Sequence, residues 1–296
     1  MAFSKGNVSS EGEGAKLYVG VGSIFIKAIN PTKAQLAAAY NREQENDPVY
    51  LGEVDQNGVK VQTVRIEFLG NTDPEKNDGI DKVVRPSITL RNQKRLNADG
   101  TKVQVIDEYG RTAWVTLEEA AQHAIPMYKN GPANITANYR EAYPGEEQLT
   151  NFIKAYLNIP NPMKYVNNEW VMIDHPEDAE ARLDHIADYF KGNFKELQDL
   201  LSYQPHNKLK ILFGVRTTEE NKQYQAFYTE MVLKNGVNDY SRLDKDLQER
   251  LANAAEGSSL KSTYYEVCPL KEYTPQPTHI EATAAPQAAP TSWLRK

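Results

Sequence analysis

The most basic part of the sequence lies within residues 82–102. Six cationic side chains there stand against a single acid, Asp99. They are Lys82, Arg85, Arg91, Lys94, Arg95 and Lys102. Cations that line a groove neutralise phosphates and release counterions, which is how proteins hold the backbone of a nucleic acid. A strand face that Lys and Arg protect from edge-to-edge pairing explains the same residues equally well.

Tyrosine is abundant, with 17 Tyr against 8 Phe. Stacking of a nucleic-acid base on an aromatic ring contributes about 1–3 kcal/mol. Along a strand predicted at the end of the central region, alternation places Lys222, Tyr224 and Tyr228 on one face and Phe227 and Met231 on the other. If Phe227 and Met231 face the core, the tyrosines are exposed and can stack bases. If the faces are reversed, the tyrosines are core residues whose hydroxyls reach the rim.

The candidate nucleic-acid contacts therefore come from three separate parts of the chain. They are Arg65, Arg85, Arg91, Lys94, Arg95, Lys102, Lys222, Tyr224 and Tyr228. Trp114 is instead assigned to the core.

Signals of enzymatic chemistry are weak. Gly20-x-Gly22 lacks the third glycine and the following helix of a dinucleotide-binding turn. None of the five histidines has metal-ligand spacing, and the single Cys268 has no histidine nearby in the sequence. Clustered carboxylates for two-metal nuclease chemistry are missing as well. We therefore expect a protein that is not an enzyme and that uses no metal and no cofactor.

Length and composition are those of an ordinary globular protein. The 296 residues, 40% hydrophobic and 25% charged, suit one elaborated domain. No apolar run approaches the roughly 20 residues of a membrane helix, and one cysteine fits a reducing compartment. A soluble, intracellular protein without a membrane partner is expected. The net charge of −6 argues against a polycation that coats nucleic acid, so the local distribution of charge decides.

Composition also divides the chain into three parts. Residues 1–15 contain little apolar surface and are expected to form a disordered arm. Residues 271–296 are dominated by Pro, Ala and Thr and are expected to form a flexible tail. Residues 16–270 are expected to form a single domain, with helical insertions at about 116–205.

Periodicity predicts about six strands with helices inserted between them. Strands are predicted at 16–29, 59–69 and 82–91, at 102–107 after a turn, and at 208–216 and 222–232. Gly20 and Gly22 are expected to bend the first strand where its apolar phase shifts, and the turn at 97–100 to join 82–91 and 102–107 in a hairpin. The predicted class is α+β or mainly β, an OB-like, partly open β-barrel with inserted and appended helices.

Six segments of the sequence also resemble a known family. They are KLYVGVGSIFIKAINPT (16–32), GRTAW (110–114), GEEQLTNFIKAYLNI (145–159), KGNFKELQDLL (191–201), LKILFGVR (209–216) and YQAFYTEMV (224–232). Their order resembles phage single-stranded DNA-binding proteins, notably those of crAss-like and other Bacteroides phages. The resemblance implies an oligonucleotide-binding fold, no cofactor, and a role in phage DNA replication or recombination in the host cytoplasm.

The segment at 291–296, TSWLRK, departs from the acidic tail that many single-strand-binding proteins use to recruit partners. Contacts with phage replication proteins through the tail, and self-association, stay open. The main alternative is a phage structural or packaged protein that uses the same barrel and tail to bind protein. A nuclease is the third and least supported alternative.

Overall fold

The computed structural model describes residues 16–56, 58–107, 112–122, 139–158, 163–166, 169–172, 183, 185–203 and 207–275. The predicted arm at 1–15 and most of the predicted tail lie outside these residues. Residues 271–275, which were assigned to the tail, lie inside them. Lys271 and Glu272 pair with the start of the first strand, and Tyr273 N donates a 2.8 Å hydrogen bond to Leu17 O beside this pairing.

The described residues form a mainly β structure with a few helices. The strands are β1 (Tyr18–Ile29), β2 (Leu51–Gln56), β3 (Val59–Thr72), β4 (Val83–Val84), β5 (Ser87–Arg91), β6 (Lys102–Asp107), β7 (Thr112–Thr116), β8 (Tyr139–Glu141), β9 (Met163–Val166), β10 (Glu169–Met172), β11 (Lys208–Thr217), β12 (Gln223–Lys234), β13 (Thr263–Tyr265) and β14 (Lys271–Glu272). The helices are α1 (Lys33–Tyr40), α2 (Leu117–Gln122), α3 (Glu146–Tyr156), α4 (Ile186–Tyr189), α5 (Lys195–Tyr203) and α6 (Ser241–Asn253).

The main sheet is antiparallel and has the strand order β12-β11-β1-β3-β2. Strands β4 and β5 pair with β3, β13 pairs with β11, and β14 pairs with β1. A second sheet has the order β7-β6-β8, and β9 and β10 form a hairpin. The predicted mainly β class is confirmed, whereas no ladder of backbone hydrogen bonds in the described part of the chain closes the main sheet into a barrel.

Helices cover both faces of the main sheet. On one face, Ile24, Ile66 and Phe213 belong to a core that α3, α4 and α5 complete, and the Phe68 ring stacks on Phe152 with centroids 4.1 Å apart. On the other face, α6 covers a smaller cluster, whose buried members are Val21, Leu212, Tyr228, Leu243 and Leu247. The sheet is therefore the middle layer of the structure.

This two-sided burial corrects the predicted bend in β1. As far as Ile26, even-numbered residues such as Ile24 face the larger core, and the odd-numbered Val21 faces α6, so apolar side chains occur on both faces without a phase shift at the glycines. Gly20 does adopt a positive φ of 107°, but the register with β3 shifts between Ile26 and Ala28. The bulge therefore lies later in the strand than the glycines suggested.

The predicted hairpin between 82–91 and 102–107 is wrong. Strand β5 pairs with β3, and β6 pairs with β7 and β8 in the second sheet. The turn at 97–100 does form, with Gly100 N donating to Asn97 O at 3.1 Å, but it joins only Leu96 to Val103 in a single bridge. Strand β5 pairs elsewhere because the buried Ile88 completes the apolar face of β3.

Several local predictions are confirmed. The four β11 residues expected to face inward, Leu209, Ile211, Phe213 and Val215, are buried, and Leu212 is buried on the opposite face as well. Glu119 N donates to Thr116 Oγ1 at 3.1 Å, as a capping box requires at the start of α2. Strand β2 was not predicted, because its sequence LGEVDQ exposes every second residue and lacks an apolar face.

Gly145, at the start of α3, packs closely against the backbone of β5. Its φ is +89°, and a Cβ there would lie 2.3 Å from Thr89 O, whereas Gly58 has φ +84° with open space around it. We expect Gly58→Ala to cost about 1–2 kcal/mol from backbone strain alone. Gly145→Ala should cost about 2–5 kcal/mol, because steric overlap adds to the strain. Urea unfolding of both variants measures the difference, and equal losses would contradict the close approach.

Candidate nucleic-acid interface

Residues 91–104 connect the main sheet to the second sheet. Arg91 N donates to Pro144 O at 3.2 Å, and Arg95 N donates to Ala142 O at 3.2 Å. Gln104 N donates in turn to Arg95 O at 2.8 Å. The basic segment is therefore held along the chain that leads into α3, and its side chains lie beside residues that are about 50 positions away in sequence.

Trp114 is the largest exposed aromatic side chain of this region, at 42% exposed. This corrects its assignment to the core. Alternation along β7 turns Val115 and Ala113 towards α2, so Trp114 projects from the opposite face, beside its cross-strand partner Gln104. The Arg95 guanidinium carbon lies 5.6 Å from the Trp114 ring centroid, which is a cation–π geometry.

Acids from a distant segment compensate much of the basic stretch. Lys94 Nζ lies 2.7 Å from Glu141 Oε1, and Arg95 Nη1 lies 2.8 Å from Glu147 Oε2. Arg91 and Lys102 are exposed and form no ion pair among the described residues. The local excess of positive charge that the sequence suggested is thus reduced by residues 141 and 147, which a count along the chain does not include.

Glu147 organises the polar side of this surface. Its Oε2 also accepts a 2.9 Å hydrogen bond from Gln104 Nε2, and its Oε1 accepts one of 2.8 Å from Thr112 Oγ1. Burial acts to raise the pKa of Glu147, but these two hydrogen bonds and the charge of Arg95 outweigh it and hold the pKa below its usual value. The carboxylate therefore stays ionised and keeps Arg95 beside Trp114.

Arg65 and Arg85 lie away from this surface, at an ion cluster on β3. Glu67 accepts hydrogen bonds from Arg65 Nη2 at 2.7 Å and from Arg85 Nε at 2.7 Å. The Arg85 side chain is only 12% exposed, and its guanidinium lies 6.0 Å from the ring of Tyr40. Two of the candidate phosphate contacts thus neutralise a carboxylate that is 4% exposed, and Arg85 presents little surface to a ligand.

Arg65 retains one unused donor. Arg65 Nε and Asn30 Nδ2 are buried and have no hydrogen-bond partner in the described structure. Asn30 is bound to the same strand, since Glu67 N donates to Asn30 Oδ1 at 2.7 Å. Buried donors without partners are uncommon in folded proteins, and a group that accepts hydrogen bonds would satisfy these two.

The tyrosine face of β12 is only partly available. Tyr228 is 2% exposed, packs against α6, and donates a hydrogen bond to Asp246. Burial and this hydrogen bond both raise the pKa of Tyr228. Tyr228 is therefore a core residue, as in the second of the two alternatives for this face, and it is removed from the candidate base contacts, because α6 covers the face opposite Phe227. Tyr224 is half-buried, and the exposed Lys222 pairs with Glu220 at 2.8 Å.

The described residues show no cluster of three or more His, Cys, Asp or Glu side chains arranged to hold a metal ion. No helix in the part of the chain that the structure describes is long and apolar enough to cross a membrane. No protein-family model, no curated protein and no solved structure matches the chain.

Tyr228 and Tyr224 give a direct comparison between a core and a surface position of one strand. Tyr228→Ala should cost about 3–5 kcal/mol of unfolding free energy, because a buried aromatic ring and its hydrogen bond are lost. Tyr224→Ala should cost less than about 1 kcal/mol. Chemical denaturation of both variants tests the assignment, and a stable Tyr228→Ala protein would show that α6 does not cover this residue.

The low pKa of Glu147 predicts an acid-dependent loss of stability. The ionised carboxylate stabilises the folded state above its unfolded pKa of about 4.3, and this contribution disappears as the pH falls through the lower folded pKa. Glu147→Gln should therefore be less stable than wild type at neutral pH, and the difference should shrink between about pH 5 and pH 3. Urea unfolding across this range measures it. A difference that stays constant with pH would contradict the proposed ionisation.

Proposed function

We propose that this chain binds single-stranded DNA without strong sequence preference, during the replication or recombination of phage DNA. The contact surface is centred on Trp114 and the cations around it. The proposal includes an OB-like, partly open barrel as the scaffold and the host cytoplasm as the place of action. No catalytic step is part of it.

The strand order supports the OB-like scaffold. Because β5 also pairs with β3, the main sheet contains a path of five strands with the spatial order β12-β11-β1-β3-β5. In chain order these strands are β1, β3, β5, β11 and β12. Strands β11, β1, β3 and β5 thus have the 4-1-2-3 arrangement of a Greek key, and the OB-fold is a five-stranded Greek-key barrel that is partly open. Thr229 Oγ1 of β12 donates to Ser87 O of β5 at 3.4 Å, so the two ends of the order approach each other.

The observation that carries the proposal is the exposed Trp114 ring with Arg95 on it, from the segment 91–104 that also carries the cations Arg91 and Lys102. Proteins that bind single strands without reading sequence combine aromatic rings for the bases with cations for the backbone. Trp114 supplies the ring, Arg91 and Lys102 supply charges that no described acid neutralises, and the Lys94 ion pair is exposed enough to open. Hydrogen-bonding groups that would read base edges are not needed for such binding.

The ion pairs of Lys94 and Arg95 limit the electrostatic contribution to DNA binding. Each phosphate contact to a single strand contributes roughly −0.7 to the slope of log affinity against log salt. With two to four cations engaged, the slope should lie between about −1.4 and −2.8. Stacking on Trp114 is then a larger share of the affinity than it would be in a strongly basic protein. This agrees with a net charge of −6.

The proposal is tested by labelled oligothymidine anisotropy on three variants. Trp114→Ala should weaken binding about 5- to 150-fold, because one stacked base contributes about 1–3 kcal/mol. The double variant Arg91→Glu with Lys102→Glu should weaken binding and make the salt slope less negative by about 1.4. The matched control is Arg242→Glu with Lys245→Glu, which makes the same charge change on the exposed surface of α6.

Loss of binding in the first two variants with retention in the control supports the assigned surface. Equal losses in both double variants would mean that only the overall charge matters. Tighter binding to duplex, or no binding of wild-type protein to single strands, would reject the proposal and favour a protein-binding role for the barrel.

A further inference from the structure

Strand β2 is an edge strand with an open outer side. It pairs with β3, and the strand order of the main sheet ends with it, so no described strand covers its other edge. Apolar side chains are exposed around it: Val49 is 75%, Val59 is 63% and Leu51 is 40% exposed. Exposed edges of this kind accept an added strand, and proteins usually protect them with Lys or Pro.

The same edge is acidic. Residues 43–60 contain Glu43, Glu45, Asp47, Glu53 and Asp55 against a single cation, Lys60. Along β2 itself, Leu51, Glu53 and Asp55 are exposed and share one face. Pairing of β2 with β2 of a second copy would place these carboxylates close together, which costs free energy. The chemistry of the edge instead fits a strand that carries an apolar residue followed by cations.

Residues 291–296 of the chain, TSWLRK, have this pattern. Alternation puts Trp293 and Arg295 on one face of an extended segment. In a parallel alignment Trp293 lies beside Leu51 and Arg295 lies beside Glu53, so an apolar pair and an ion pair form on the same face. We propose that this segment of one copy adds as a strand to β2 of a second copy.

The length of the connection favours a second copy over the same chain. Described residues end at Pro275, beside the start of β1. The twelve residues of β1 span about 40 Å, and Val64, the partner of Leu51, lies four residues beyond the β1 pairing on β3, about 13 Å further. The 17 residues from 276 to 292, which precede Trp293, reach about 53 Å when fully extended. A contact within the same chain would therefore require a fully extended connection, which costs conformational entropy, whereas a second copy imposes no such span.

Such a contact is heterologous, because different surfaces of the two copies meet, so it can repeat along a row of molecules. The inference is independent of DNA binding, since neither surface includes Trp114 or the cations near it. Sedimentation velocity without DNA therefore tests it separately. Full-length wild type should self-associate with increasing concentration, and the variant Trp293→Ala with Leu294→Ala should associate roughly 30-fold more weakly, as expected for loss of a central interface anchor.

Charge exchange makes the test specific. One variant carries Glu53→Lys with Asp55→Lys, and the other carries Arg295→Glu with Lys296→Glu. Each variant alone should be monomeric, because like charges meet at the contact. A mixture should associate again, because the altered edge of one variant is complementary to the altered tail of the other, and the unchanged edge to the unchanged tail. A mixture that stays monomeric, association of wild type that does not depend on concentration, or equal association of all variants would overturn the inference.

Discussion

Strand β3 hydrogen-bonds to four other strands, and the arrangement of the molecule depends on those ladders. One edge of β3 carries β1 and β2, and the other carries β4 and β5. Val64, Ile66 and Phe68 are at most 1% exposed on its core face. A slip of one residue would turn all three to the opposite side, so the register of the whole sheet is tightly determined.

The same register places Arg65 and Glu67 on the face away from the core. The buried Glu67 pairs there with two arginines. A buried carboxylate without a cation would cost free energy of folding, so the ion pairs hold both guanidinium groups at Glu67. Arg85 is thereby largely withdrawn from the surface. A similar compensation by Glu141 and Glu147 leaves Arg91 and Lys102 as the cations of the proposed interface that have no described ion-pair partner.

Local patterns predicted elements well wherever one face of an element is buried against one neighbour. Helix α3 shows its buried residues at the expected spacing, because a single apolar face repeats at the period of the helix. The prediction failed where neighbours cover both faces. In β1 and β12 apolar residues occur on either side, so alternation could not tell that α6 would bury Tyr228, or where the bulge of β1 lies.

The sequence by itself determined the mainly β class, the positions of the long strands and amphipathic helices, and the residue types of the proposed nucleic-acid surface. These depend on contacts within a few residues, through periodicity and capping. Tertiary structure alone decided that Trp114 is exposed, that Tyr228 is in the core, and that Glu141 and Glu147 meet Lys94 and Arg95. Exposure and charge compensation depend on which distant segments come together. In each of these two ion pairs, about 50 residues of chain separate the acid from the cation.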